Sequence, residues 1–115
     1  MAEIDRSSLA ITVITAEEQI KGRFKLIKRA ASSGRKLIQA YADLQANLAF
    51  FKTIQVLSFD EAALAHYETL RQPKIRIGTQ DLRIAAIVLS VKGTLVTRNW
   101  RDFSKIPNLV LEDWS

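Results

Sequence analysis

Three acids in this chain have the side-chain type and placement for metal-assisted chemistry. Glu18 lies soon after an apolar, β-branched stretch, LAITVIT (9–15), that reads as a strand. Asp81 opens the apolar segment DLRIAAIVLSV, and Asp102 follows the short strand-like TLVT by a few residues. Ligand sites in open parallel sheets lie beyond the carboxyl ends of the strands, where all three acids fall. Carboxylates gathered at one point repel each other unless a cation neutralises them. Hard oxygen donors of this kind suit Mg²⁺ or Mn²⁺. Such an ion orients water and stabilises charge on a phosphate during hydrolysis.

Each acid also has an ordinary structural use. Thr15 and Glu18 fit a T-x-x-E capping box. Asp81 favours the positive end of a helix dipole, an effect of about 0.3–1 kcal/mol. Asp102 can cap a turn. Spacing alone leaves these alternatives open. The single histidine, His66, has no second ligand beside it, and no P-loop or G-x-G-x-x-G is present. The basic run Lys21, Arg23, Lys25, Lys28, Arg29, Arg35, Lys36 reads either as a solvated helix face or as a track for a phosphate backbone. Trp100, between Arg98 and Arg101, could stack on a base or simply pack.

The elements that must position these acids follow from periodicity. After the strand at 9–15, TAEEQIKGRFKLIKRAASSG reads as a helix stopped by Gly34. A second helix follows, with Leu37, Tyr41, Leu44, Leu48 and Phe51 on one stripe expected to be mostly core, the alternative being an exposed groove for a partner helix. TIQVLSF (53–59) reads as a strand, Asp60 caps a helix that ends before Pro73, and Thr79 caps the next. That helix is apolar nearly all round, so it should be buried, with Gly93 as its stop. TLVT, a loop or single turn, and NLVLEDW complete the chain. Strands alternating with helices predict an α/β fold with a parallel sheet in three layers.

With 115 residues, the chain is expected to form one domain spanning 1–115. It lacks cysteine, which excludes disulfides and thiolate metal sites and is compatible with a reducing cytosol. No apolar run reaches the roughly 18–20 residues that span a bilayer, and the start lacks the pattern of a signal peptide. The net charge of +5 favours polyanionic partners, nucleic acid above all.

ITVITAEEQIKG resembles the second strand and following helix of PIN-domain proteins, specifically VapC-like toxins, whose pattern places Ser/Thr after the strand and Glu four residues before Gly. Thr15, Glu18 and Gly22 match it. GTQDLRIAAIVLSVKGTLVTRNWRDF resembles the family's second signature: an Asp opening an Ile-Ala-Ala helix, then Leu-Val-Thr, Asn, and an acid before Phe. NLVLEDWS is similar to the family's last strand. The resemblance covers the chain from residue 9 onward. It implies a Mg²⁺-dependent endoribonuclease acting on RNA in the cytoplasm, restrained by a small antitoxin protein and usually a homodimer. By position, Glu18, Asp81 and Asp102 would hold the metal, with Thr97 and Asn99 orienting ligands or water.

The family pattern also begins with a strand carrying Leu-Asp-Thr-Asp/Asn, central in its sheet, whose Asp is a metal ligand. This sequence shows no such element, and Asp5 lies before the strand, at the wrong end to replace it. The expectation is an N-terminally shortened PIN-like domain with weakened or absent activity. Its sheet would close by pairing the strand near residue 12 with that near 95, or another chain would fill the gap. The alternative function is a catalytically inactive PIN remnant that binds a protein partner or RNA.

Overall fold

The structure is a computed structural model in which residues 9–113 are described. Asp5 and Trp114 lie outside those residues. The architecture is α/β, with short parallel strands joined through helices. The chain divides into two compact units, one ending at Leu57 and one beginning at Ser58.

The first unit runs β1 (Ala10–Thr12), α1 (Val13–Arg29), α2 (Gly34–Phe51) and β2 (Gln55–Leu57). The strands pair in parallel, Ile11 opposite Val56. The helix begins earlier than the capping-box spacing suggested. Thr12 is its N-cap, in extended backbone, and its Oγ1 accepts from the Thr15 N–H at 3.1 Å. Thr12 is buried, and its hydroxyl also lies 3.0 Å from that of Thr15. The expected strand at 9–15 is therefore cut to three residues, because a capping threonine at 12 satisfies a helix-start donor.

Gly34 does not stop α1. That helix ends at Arg29, with Lys28 and Arg29 in its last turn facing the negative dipole end, and Gly34 opens α2. The stripe expected to be core is not buried either. Leu37, Leu44 and Phe51 are half-buried, while Tyr41 and Leu48 are exposed, and Ala40 is the buried residue of α2. A two-helix layer with a short two-stranded sheet offers too little partner surface to cover a whole apolar stripe.

The second unit runs α3 (Glu61–Leu70), α4 (Thr79–Ser90), β3 (Thr94–Val96), α5 (Trp100–Phe103) and β4 (Val110–Glu112). Asp60 caps α3 as expected, accepting from the Ala63 N–H at 3.0 Å. Gly78, not Thr79, is the N-cap of α4 and makes no side-chain cap bond. Six residues of α4, from Leu82 to Val88 with Arg83 excepted, are buried, as its all-round apolar character predicted. The helix packs against α3, and the Arg71 and Arg83 guanidinia lie 5.6 and 5.7 Å from the centre of the Tyr67 ring. The residue that turns the chain after α4 is Lys92, with φ 54°, rather than Gly93, whose N–H bonds the Val88 carbonyl at 3.0 Å.

β3 and β4 pair in parallel, Leu95 opposite Leu111. Each sheet has two strands, β1 with β2 and β3 with β4. None of the described helices is long and apolar enough to cross a membrane.

Candidate active site

The second unit brings Asp81 and Asp102 together. Asp81 occupies the first turn of α4, two residues after Thr79, where the helix dipole favours its charge. The apolar face of the same helix fixes it: Leu82 and Ile84 are buried, so Asp81 is carried half-buried at the core's edge. Burial, and then the charge of Asp102, push its carboxyl above the usual carboxylate value. The dipole does not outweigh these two effects.

Asp102 is positioned by a short relay of hydrogen bonds. The Thr97 N–H donates to the Glu112 carbonyl at 3.0 Å, extending the β3–β4 ladder by one bond. The Thr97 hydroxyl then accepts from the Asn99 N–H at 3.0 Å. The Asn99 side-chain amide donates to Asp102 Oδ2 at 3.2 Å. On the other carboxylate oxygen, Oδ1, Lys105 Nζ lies at 3.7 Å. Phe103 and Ile106, both buried, pin the turn that carries Asp102. Thr97 and Asn99, singled out in the sequence, thus orient an acid rather than stand alone. Lys105 was missed; its i,i+3 spacing from Asp102 was the available signal.

Glu18 lies in the first unit, on the second turn of α1 and exposed. Thr12 caps the helix, so Glu18 has no capping role, and no hydrogen bond or ion pair engages it among the described residues. Its neighbour Glu17 pairs with Lys21 at 3.3 Å. Among the described residues no three His, Asp or Glu side chains are gathered to hold a metal ion. His66 is exposed on α3. Asp81 and Asp102 nonetheless have the chemistry a hard cation needs. They are oxygen donors, they repel each other, and one has its charge disfavoured by burial, a cost that a divalent ion reverses.

No family model matches the chain. It is 36% identical over 69 residues to ribonuclease VapC2 of Rickettsia felis, a match covering 56% of this chain and 52% of that protein. The aligned part thus spans about half the length of that relative. It is 31% identical over 111 residues to ribonuclease VapC1 of Haemophilus influenzae strain R2866, covering 93% of this chain and 75% of the relative. The solved VapBC-1 structure from nontypeable Haemophilus influenzae superposes with a TM-score of 0.72 at 30% identity, covering 99% of this chain and 78% of that one. With this identity over three quarters of a VapC relative, and an α/β fold shared with a solved VapBC structure, the chain belongs to the VapC family of PIN-domain toxins.

Proposed function

We propose that the protein is a divalent-metal-dependent endoribonuclease of the VapC toxin type, hydrolysing RNA phosphodiester bonds. The observation that carries this reading is the repelling pair Asp81–Asp102, with Asp102 held by the Thr97–Asn99 relay. The relatives' name, ribonuclease, supports the reaction class.

Asp81 and Asp102 would hold Mg²⁺ or Mn²⁺. When bound, the ion supplies Lewis acidity toward a phosphate oxygen and lowers the pKa of the water it carries. The chain's own contributions are electrostatic and positional. Asn99 fixes which Asp102 oxygen is presented, leaving Oδ1 beside the Lys105 ammonium. Half-burial of Asp81 weakens its hydration, so its charge acts at greater strength on a neighbouring cation. The net charge of +5 attracts the polyanionic substrate.

A small antitoxin partner is proposed from the VapBC likeness. A homodimer and a cytoplasmic location are proposed from the resemblance in the sequence. The lack of a ready three-acid group among the described residues favours a second reading, a catalytically inactive module that binds RNA or a protein partner.

Incubation of labelled RNA with the purified chain in Mg²⁺, Mn²⁺ or EDTA separates the two. Cleavage in metal, none in EDTA, and loss of cleavage in Asp81→Asn are expected. Equal cutting in EDTA rules out the metal role. An intact, folded chain that cuts no RNA in either metal leaves the binding-module reading.

A further inference from the structure

The α1–α2 hairpin of the first unit carries a groove that the proposed chemistry does not use. It is lined by Gln19, Gly22, Arg23, Leu26, Asn47 and Phe50. One wall is a chain of hydrogen bonds: Arg23 Nε donates to Asn47 Oδ1, and Asn47 Nδ2 donates to Gln19 Oε1 at 3.1 Å. This spends the Nε edge of Arg23 on the protein and leaves its Nη donors without a partner among the described residues. The Gln19 amide N–H₂ is likewise unspent. The apolar wall is Leu26 and Phe50, and Phe50 is 45% exposed.

Gly22 gives the groove its open floor. It sits in the interior of a seventeen-residue helix, where glycine weakens the helix relative to alanine. No atom lies within 4 Å of where its Cβ would stand, so close packing within the protein does not explain it. Glu17 and Glu18 precede the groove on α1, and cations follow it toward the helix C-terminus. Arg23, Lys25, Lys28 and Arg29 of the same helix have no carboxylate within ion-pair reach among the described residues.

We propose that this groove is a subsite for one unstacked nucleotide of single-stranded RNA. The base stacks on Phe50, the Gln19 and Asn47 amides meet its hydrogen-bonding edge, and the Nη face of Arg23 takes the adjoining phosphate. Aromatic face, amides and a pre-set guanidinium are the groups with which proteins hold a splayed base. The two helices also expose Phe24, Ile38, Tyr41 and Leu48, so a peptide is the competing occupant, but an apolar peptide face would leave the groove's amides and the Arg23 Nη donors unmatched. The inference rests on the nuclease reading and deepens it, since RNA is the polymer that the proposed hydrolysis acts on.

The test is fluorescence anisotropy of a labelled single-stranded RNA oligonucleotide in EDTA, where binding is read without cleavage. Phe50→Leu is expected to weaken binding roughly 5- to 150-fold, the span that stacking of one base covers. Phe50→Trp keeps it. Gly22→Leu fills the groove with a better helix former, so the variant folds while RNA binding falls. Arg23→Gln lowers the salt slope by about one phosphate contact.

Wild-type affinity in both Phe50→Leu and Gly22→Leu, folded by circular dichroism, overturns the subsite. So does a wild type that fails to bind RNA, or a Phe50→Trp as weak as Phe50→Leu. If the groove variants keep RNA but lose an amphipathic helical peptide, the groove is a peptide site and the proposal is wrong. Asp81-dependent cleavage with normal RNA binding by the groove variants sinks the subsite alone. Groove-dependent binding with no cleavage in any metal sinks the nuclease reading and leaves the subsite standing.

Discussion

Replacing Gly22 with alanine should stabilise the protein. Gly22 lies mid-helix in α1 with ordinary helical backbone, since no glycine of the described residues has a positive φ. An added Cβ meets nothing within 4 Å, so no steric penalty offsets the gain, and no new packing adds to it. What remains is helix propensity and the reduced freedom of the unfolded chain, together about 0.5–1 kcal/mol. For a domain of this size that corresponds to a rise of roughly 2–6 °C in Tm. In urea the midpoint should move up by about 0.3–0.8 M with the slope unchanged. Far-UV circular dichroism against urea, for wild type and Gly22→Ala side by side, measures it. A lower midpoint would mean that an atom does approach Gly22 in solution. An unchanged midpoint would mean that α1 is not helical through this position, and the groove built on it would lose its floor.

Three further outcomes are expected. Thr12→Ala removes the Oγ1 that accepts the Thr15 N–H and should cost about 0.5–2 kcal/mol in urea unfolding, whereas Thr15→Ala should cost less; equal costs contradict the assignment of the cap. Asn99→Ala frees Asp102 Oδ2 and should reduce metal affinity or RNA cleavage about 10–100-fold, as loss of a partner that orients a ligand does; calorimetric titration with Mn²⁺ reads the first directly. The third concerns pH. The Asp81 carboxyl is raised above 3.8 by burial and then by Asp102, so the folded state binds its proton more tightly than the unfolded state. Its contribution is fully present below the unfolded value and is lost as pH rises through the raised one. In EDTA, Asp81→Asn should therefore gain stability relative to wild type as pH climbs from below 3.8, then level off. A difference that moves the other way refutes the burial of this acid, and saturating Mg²⁺ should reverse the order in favour of wild type.

Local chemistry made much of this protein legible before its fold was known. The alternation of short β-branched stretches with helical periods dictated α/β class, and Asp60 at its helix start was readable because a cap needs only its own neighbours. The buried α4 was readable because a helix apolar on all sides has no face to give to water. Asp81 and Asp102 were picked out by their places beside expected elements, whereas Thr97 and Asn99 were named only through the family resemblance.

Competition between neighbouring local signals was harder to read. Thr12 and Thr15 are both adequate caps, and the choice of Thr12 went with its burial at the end of β1, which periodicity cannot show. Whether the stripe from Leu37 to Phe51 is core depends on whether another layer covers it, and the sequence of a helix does not encode the area of its neighbour.

The sequence by itself determined which residues are acids, which helix is buried, and where the strands fall, since these follow from side-chain type and spacing within a few residues. Tertiary structure alone decided that Asp81 and Asp102, twenty-one positions apart, share one electrostatic field. It also decided that Gly22 opens onto empty space beside Phe50 of the neighbouring helix. Those facts depend on distances across the chain, which folding sets and no local pattern carries.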